Sequence, residues 1–149
     1  LPVGRIKEMA IASIKDNTAM YFSCDVGKFL NRKTGVLDED SFDYESLMGV
    51  TFGMDKKQRV QTHDSGSSHA MSLIGVDLKD GKPVKWMVEN SWGADSGYKG
   101  NLIMTDKWFD DYMFRLVVEK KYVPADVMEM LNQKPVLLPA WDPMFLPEE

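Results

Sequence analysis

From Arg5 to Asp16 the apolar residues Ile6, Met9, Ala10 and Ile14 recur at helical spacing, with Lys7, Glu8 and Lys15 on the wetter side. That periodicity predicts an amphipathic helix whose stripe is core rather than a cofactor box. Ala19 to Asp25 reads as a strand. Val26 to Gly35, where Phe29 and Leu30 lie among Lys28, Arg32 and Lys33, reads as a short helical or irregular excursion closed by Gly35. Between Leu37 and Gln61, charges interleave with Phe42, Tyr44, Leu47, Met48, Phe52 and Met54, a pattern that suggests short helices draped over a sheet.

The next segment alternates as strands do. Leu78-Lys79-Asp80-Gly81 carries the turn chemistry of a short loop, so Asp77 would face Lys82 and the hairpin would run from His69 to Asn90. A loop from Gly93 to Gly100 leads to a strand over Asn101 to Thr105. Asp106 is placed to cap a short helix through Tyr112, because a carboxylate there can accept free N–H groups of the first turn. Phe114 to Glu119 is a further strand, with Phe114, Leu116 and Val118 alternating against Arg115 and Val117. Pro124 fits the first turn of a helix to Gln133, with Val127, Met130 and Leu131 inward. Together these elements predict an α+β fold, a twisted antiparallel sheet or partial barrel with helices packed on it.

Equal steps along both hairpin strands place His69 opposite Asn90, and residues directly opposite in an antiparallel pair point to the same face. An amide oxygen beside one imidazole nitrogen fixes the tautomer and leaves the other nitrogen free to exchange a proton with a nucleophile. Two readings stand side by side. A His at a strand end can simply be solvated, and an Asn before Ser91-Trp92-Gly93 can simply open a turn. Trp92 divides likewise between one more core aromatic and a shield that keeps water off the His–Asn bond. Glu89 would face away from Asn90, and His63, in the polar stretch Gln61 to Gly66, reads as solvated.

The segments Tyr21-Phe22-Ser23-Cys24-Asp25-Val26-Gly27-Lys28-Phe29, Ser68-His69-Ala70-Met71, Lys85-Trp86-Met87-Val88-Glu89-Asn90-Ser91-Trp92-Gly93 and Leu138-Pro139-Ala140-Trp141-Asp142-Pro143-Met144 occur in this order. They resemble the bleomycin hydrolase or aminopeptidase C branch of the papain-like cysteine peptidases, over about Ala19 to Met144. The resemblance implies the β-rich lobe of that fold over residues 1–133, with the extended C-terminal arm at 134–149. It also implies a thiol aminopeptidase acting on peptides, with His69 and Asn90 catalytic, Trp92 shielding their bond, and assembly as a homohexamer. Members carry the nucleophilic Cys on a helix in an N-terminal lobe. The expected partner is therefore a Cys-bearing N-terminal portion, and this chain by itself is expected to be inactive. A non-catalytic partner-binding remnant and a structural subunit of the same fold are the rival readings.

Cys24, the only Cys, sits in an apolar strand-like stretch, where a thiol behaves as a small buried hydrophobe rather than a nucleophile. One Cys excludes an internal disulfide and favours a reducing, cytoplasmic setting, although any targeting segment upstream of Leu1 would not be visible. No apolar run approaches the roughly 18 residues of a membrane span. A net charge of -5, with basic residues only in isolated pairs, argues against nucleic-acid binding by this part. Two His and one Cys, without paired-ligand spacing, predict neither metal nor cofactor. Four prolines between Lys134 and Pro147 predict an extended arm along the surface. In the family resembled, the arm's terminal carboxylate meets the substrate's α-ammonium. Here that role would fall to Glu149, with Glu148 beside it, after an ending bulkier and more acidic than the branch's small apolar one.

Overall fold

The computed structural model describes residues 1–145. Its strands are β1 (Met20–Cys24), β2 (Leu30–Asn31), β3 (Val36–Leu37), β4 (His69–Lys79), β5 (Lys82–Glu89), β6 (Asn101–Thr105) and β7 (Met113–Val117). They form one seven-stranded sheet in the order β2-β3-β6-β5-β4-β1-β7. Every pair is antiparallel except β3 with β6. The α-helices are α1 (Val3–Lys15), α2 (Tyr44–Met48), α3 (Lys56–Gln61), α4 (Asp106–Tyr112) and α5 (Ala125–Met130). The region from Val26 to Gly35 holds a turn at 26–29, strand β2 and a tight β2–β3 turn at 32–35, and the interleaved stretch to Gln61 holds a 3₁₀ turn at Glu39–Ser41 followed by α2 and α3.

One face of the sheet carries the core. Phe22, Leu73, Trp86, Val88, Leu102 and Met104 are buried there, and α1 and α4 close over them with Ala10, Trp108 and Phe109. Phe109 stacks on Trp86 with ring centroids 4.7 Å apart, while the Trp86 indole N–H donates to Asp106 Oδ1 at 2.9 Å. Asp106 is thus the first residue of α4 and not its cap. Thr105 takes that role, its hydroxyl accepting the Trp108 N–H at 3.3 Å, because the Asp106 carboxylate is drawn inward by Trp86 and by Lys7, whose Nζ lies 2.8 Å from Oδ2. At the C-terminal end of α4, Lys56 Nζ donates to the Asp110 carbonyl at 2.8 Å, which ties α3 to the fold.

The β4–β5 hairpin departs from the simple count. Its turn is two residues long, Asp80-Gly81, both at positive φ (52° and 77°), and Lys79 faces Lys82. That conformation suits the twist of two strands joined by a minimal loop. Ile74 on β4 and Val84 on β5 are each skipped in the pairing, giving two bulges on opposite strands. Beyond them Ser72 faces Glu89. At α5 the expected inner face does not form. Met130 is 49% and Leu131 73% exposed, since the helix stops at Met130 and is linked to α1 by a charged contact, Arg5 Nη2 to Asp126 at 2.7 Å.

Candidate active site

His69 is the first residue of β4 and its Cα partner on β1 is Cys24. The loop before it is held by hydrogen bonds. Ser65 Oγ donates to buried Asp25 at 2.8 Å, Ser67 Oγ to Ser23 Oγ at 3.0 Å, and the Ser68 N–H to the Cys24 carbonyl at 3.1 Å. The backbone carrying the imidazole is therefore fixed on both sides, by the ladder to β1 and by this serine-rich anchor.

Asn90 follows the last residue of β5, and its N–H donates to the Gly100 carbonyl at 3.0 Å. Extending the Ser72–Glu89 register by one step puts Met71, not His69, across from Asn90. His69 lies one alternation further along the same face, so the two side chains meet diagonally. His69 Nε2 is 2.8 Å from Asn90 Oδ1. The same oxygen accepts the Ser91 N–H at 2.8 Å, which identifies the atom facing the ring as oxygen rather than the amide nitrogen. Two donors therefore converge on Oδ1. Nε2 must carry a proton, and in the neutral ring the free lone pair is on Nδ1.

Trp92 lies against the imidazole, its ring centroid 5.0 Å from that of His69 with 32° between the planes. Arg32, from the β2–β3 turn, also lies over the Trp92 ring, with Cζ 5.2 Å from the indole centroid. Sequence periodicity gave no warning of Arg32, because the two residues are brought together only by the folding of distant loops. Glu89 is exposed on the opposite face, as its parity requires, and His63 is exposed in its loop. An open groove of about 620 Å³ reaches Asn90 and Ser91, but Tyr21, Ala70, Ser72 and Glu89 line it from the face away from His69. Glu148 and Glu149 lie outside the described residues.

Cys24 stands across from His69, a placement that local spacing does not reveal, yet the thiol is a poor nucleophile. It is 0% exposed, and burial, with Asp25 beside it, pushes its pKa far above the ordinary thiol range. The folded chain is accordingly expected to leave Cys24 unmodified by a thiol-reactive disulfide reagent at pH 8 and to titrate one thiol per chain in urea. Rapid labelling without denaturant would contradict this account.

Residues 1–145 match the Peptidase C1-like family model. The chain belongs to that family. It is 48% identical over 147 residues to bleomycin hydrolase of Mus musculus, which covers 96% of this chain and 32% of that protein. Aminopeptidase C of Streptococcus thermophilus is 40% identical, with 97% of this chain and 33% of that protein covered. The crystal structure of PepW from Lactobacillus rhamnosis HN001 superposes with a TM-score of 0.90 at 41% identity, over 97% of this chain and 33% of that one. This family member thus spans about a third of the length of the relatives it matches, corresponding to their C-terminal part. Its half-barrel sheet with packed helices is a papain-like fold.

Proposed function

We propose that this chain supplies the His and Asn of a thiol aminopeptidase of the bleomycin hydrolase type, whose nucleophilic Cys lies outside these residues. The observation that carries the reading is the Nε2–Oδ1 bond of 2.8 Å under Trp92, with its direction fixed by the Ser91 N–H. A second feature supports it. Asn90 Nδ2 is shielded from water without an acceptor among the described residues, so the amide is oriented for the ring at the expense of its own donor.

In this mechanism the thiolate attacks the first peptide carbonyl, forming the C–S bond. The His69 imidazolium gives its Nδ1 proton to the leaving amine as the C–N bond breaks. Water, giving its proton to Nδ1, then attacks the thioester carbon, and the C–S bond breaks to release the acid and return the thiolate–imidazolium pair. Asn90 holds Nε2–H throughout, so that the ring turns the correct nitrogen to the reaction. Peptides are the substrates, the Cys-bearing portion is the obligatory partner, and hexamer formation and restriction to N-terminal residues by the C-terminal arm belong to the same proposal. Exposed Leu47, Phe52 and Trp141, at 78%, 59% and 83%, offer apolar surface for such a partner.

The test is hydrolysis of an aminoacyl fluorogenic amide by the chain alone and with the N-terminal two-thirds of mouse bleomycin hydrolase added. Activity only in the mixture supports the proposal. Activity of the chain alone would overturn the assignment of Cys24, and silence from a mixture that demonstrably binds would favour a non-catalytic module.

A further inference from the structure

The β2–β3 turn and the loop from Asn90 to Gly100 are pressed together by two glycines. A Cβ on Gly35 would lie 2.5 Å from Gly97 Cα, and one on Gly97 would lie 2.3 Å from the Asn101 carbonyl oxygen. Neither position admits a side chain without displacing backbone. The contact is reinforced where the Ile103 N–H donates to the Gly35 carbonyl at 2.9 Å, and the turn itself is closed by Gly35 N–H to Asn31 O at 2.8 Å and Thr34 N–H to Asn31 Oδ1 at 3.2 Å. A rigid turn therefore presents Arg32 to the Trp92 loop.

From Arg32 lying over the Trp92 ring and Trp92 lying tilted against His69, we propose that Arg32 is a positioning residue that clamps the indole at the His69–Asn90 bond. Trp92 needs such a clamp. It is 38% exposed, it is followed by Gly93 in a loop, and its indole nitrogen has no hydrogen-bond partner among the described residues, so little else fixes the ring. A guanidinium can lie flat on an indole and attract its electron-rich face while remaining hydrated at its edge. With the ring held down, water reaches Nε2–H and Oδ1 less often, and the imidazole keeps the orientation that frees Nδ1. The inference rests on the assignment of His69 and Asn90 as the acting pair, but the clamp itself can be read without any turnover.

The measurement is the solvent-exchange rate of the His69 Nε2 proton, followed by NMR on the ¹⁵N-histidine-labelled chain, in the unmodified protein and in R32A, R32K and W92A. R32A is a change at an exposed side chain and should fold normally. It is expected to speed exchange by about two- to five-fold, the range an exposed cation–π contact accounts for. W92A should speed it by more, and R32K should fall between the unmodified chain and R32A, since an ammonium keeps the charge but not the flat stacking surface. In the complemented enzyme R32A should lower kcat by a similar factor with little change in KM. Unchanged exchange in R32A beside faster exchange in W92A would overturn the clamp while leaving the site assignment intact. No protected Nε2 proton in the unmodified chain would overturn it too, as would an R32A defect confined to KM, which would place Arg32 on the substrate instead. If the catalytic assignment is what fails, His69→Ala will leave complemented activity unchanged whatever the exchange rates do.

Discussion

Replacing His69 with Ala is expected to lower kcat/KM of the complemented enzyme by roughly 10³-fold or more, because in the proposed mechanism one imidazole carries the proton in both acylation and deacylation. Asn90→Ala should cost less, on the order of 10²-fold, since the ring remains but can flip or tautomerise once Oδ1 no longer accepts its Nε2 proton. The two changes should not multiply. An Asn that acts only by holding His69 has nothing left to do when His69 is gone, so the double variant should match His69→Ala within error. Cys24→Ala is the control, and it should retain near-normal kcat/KM. The measurement is steady-state hydrolysis of an aminoacyl amide with the folded fraction of each variant checked by near-UV circular dichroism. Multiplicative losses in the double variant would show that Asn90 acts on something other than His69. A Cys24→Ala variant as inactive as His69→Ala would return the nucleophile to this chain.

The pairing of His69 with Asn90 was legible in the sequence for a reason that differs from the one the simple count supplied. The count assumed a four-residue loop and direct opposition, whereas the hairpin turns on Asp80-Gly81 and the pair meets diagonally. What survived was parity. The bulges at Ile74 and Val84 lie on opposite strands and cancel, so odd residues of β4 and even residues of β5 share the inner face at the His69 end, as an unbulged hairpin would have them. One bulge alone would have turned Asn90 to the outer face. The capping of α4 was misassigned because Asp106 has long-range partners, Trp86 and Lys7, that outcompete the local N–H groups. Periodicity at Met130 and Leu131 misled for the opposite reason, since among the described residues a helix ending at Met130 has no neighbour on that side to bury them. Cys24 facing His69 and Arg32 over Trp92 depend on strand order and loop docking, and neither leaves a trace in local spacing.

The largest expected loss of stability falls at Trp86. Its side chain is 1% exposed, its ring stacks on Phe109, and its N–H satisfies an Asp106 oxygen. Trp86→Ala removes all three and leaves a cavity beneath α4, a change worth roughly 3–5 kcal/mol. A domain holds only about 5–15 kcal/mol in total, so this variant should lose a large share of its stability. Trp86→Phe separates the contributions. It keeps an aromatic face for Phe109 but strands Asp106 Oδ1, and it should cost only about 1–3 kcal/mol. Urea unfolding would report both as lower midpoints at an unchanged m value. The consequence reaches the site through β5, because Trp86 and Val88 pair with Met104 and Leu102 on β6 and thereby fix the strand whose end delivers Asn90. In Trp86→Phe the folded molecules should therefore keep the His69–Asn90 geometry, and complemented activity should fall only in proportion to the fraction folded. A Trp86→Phe enzyme that is fully folded yet slow would mean instead that the indole N–H to Asp106 bond, through Lys7 and α1, sets the register of β5 at Asn90, and that the core and the site are one cooperative unit.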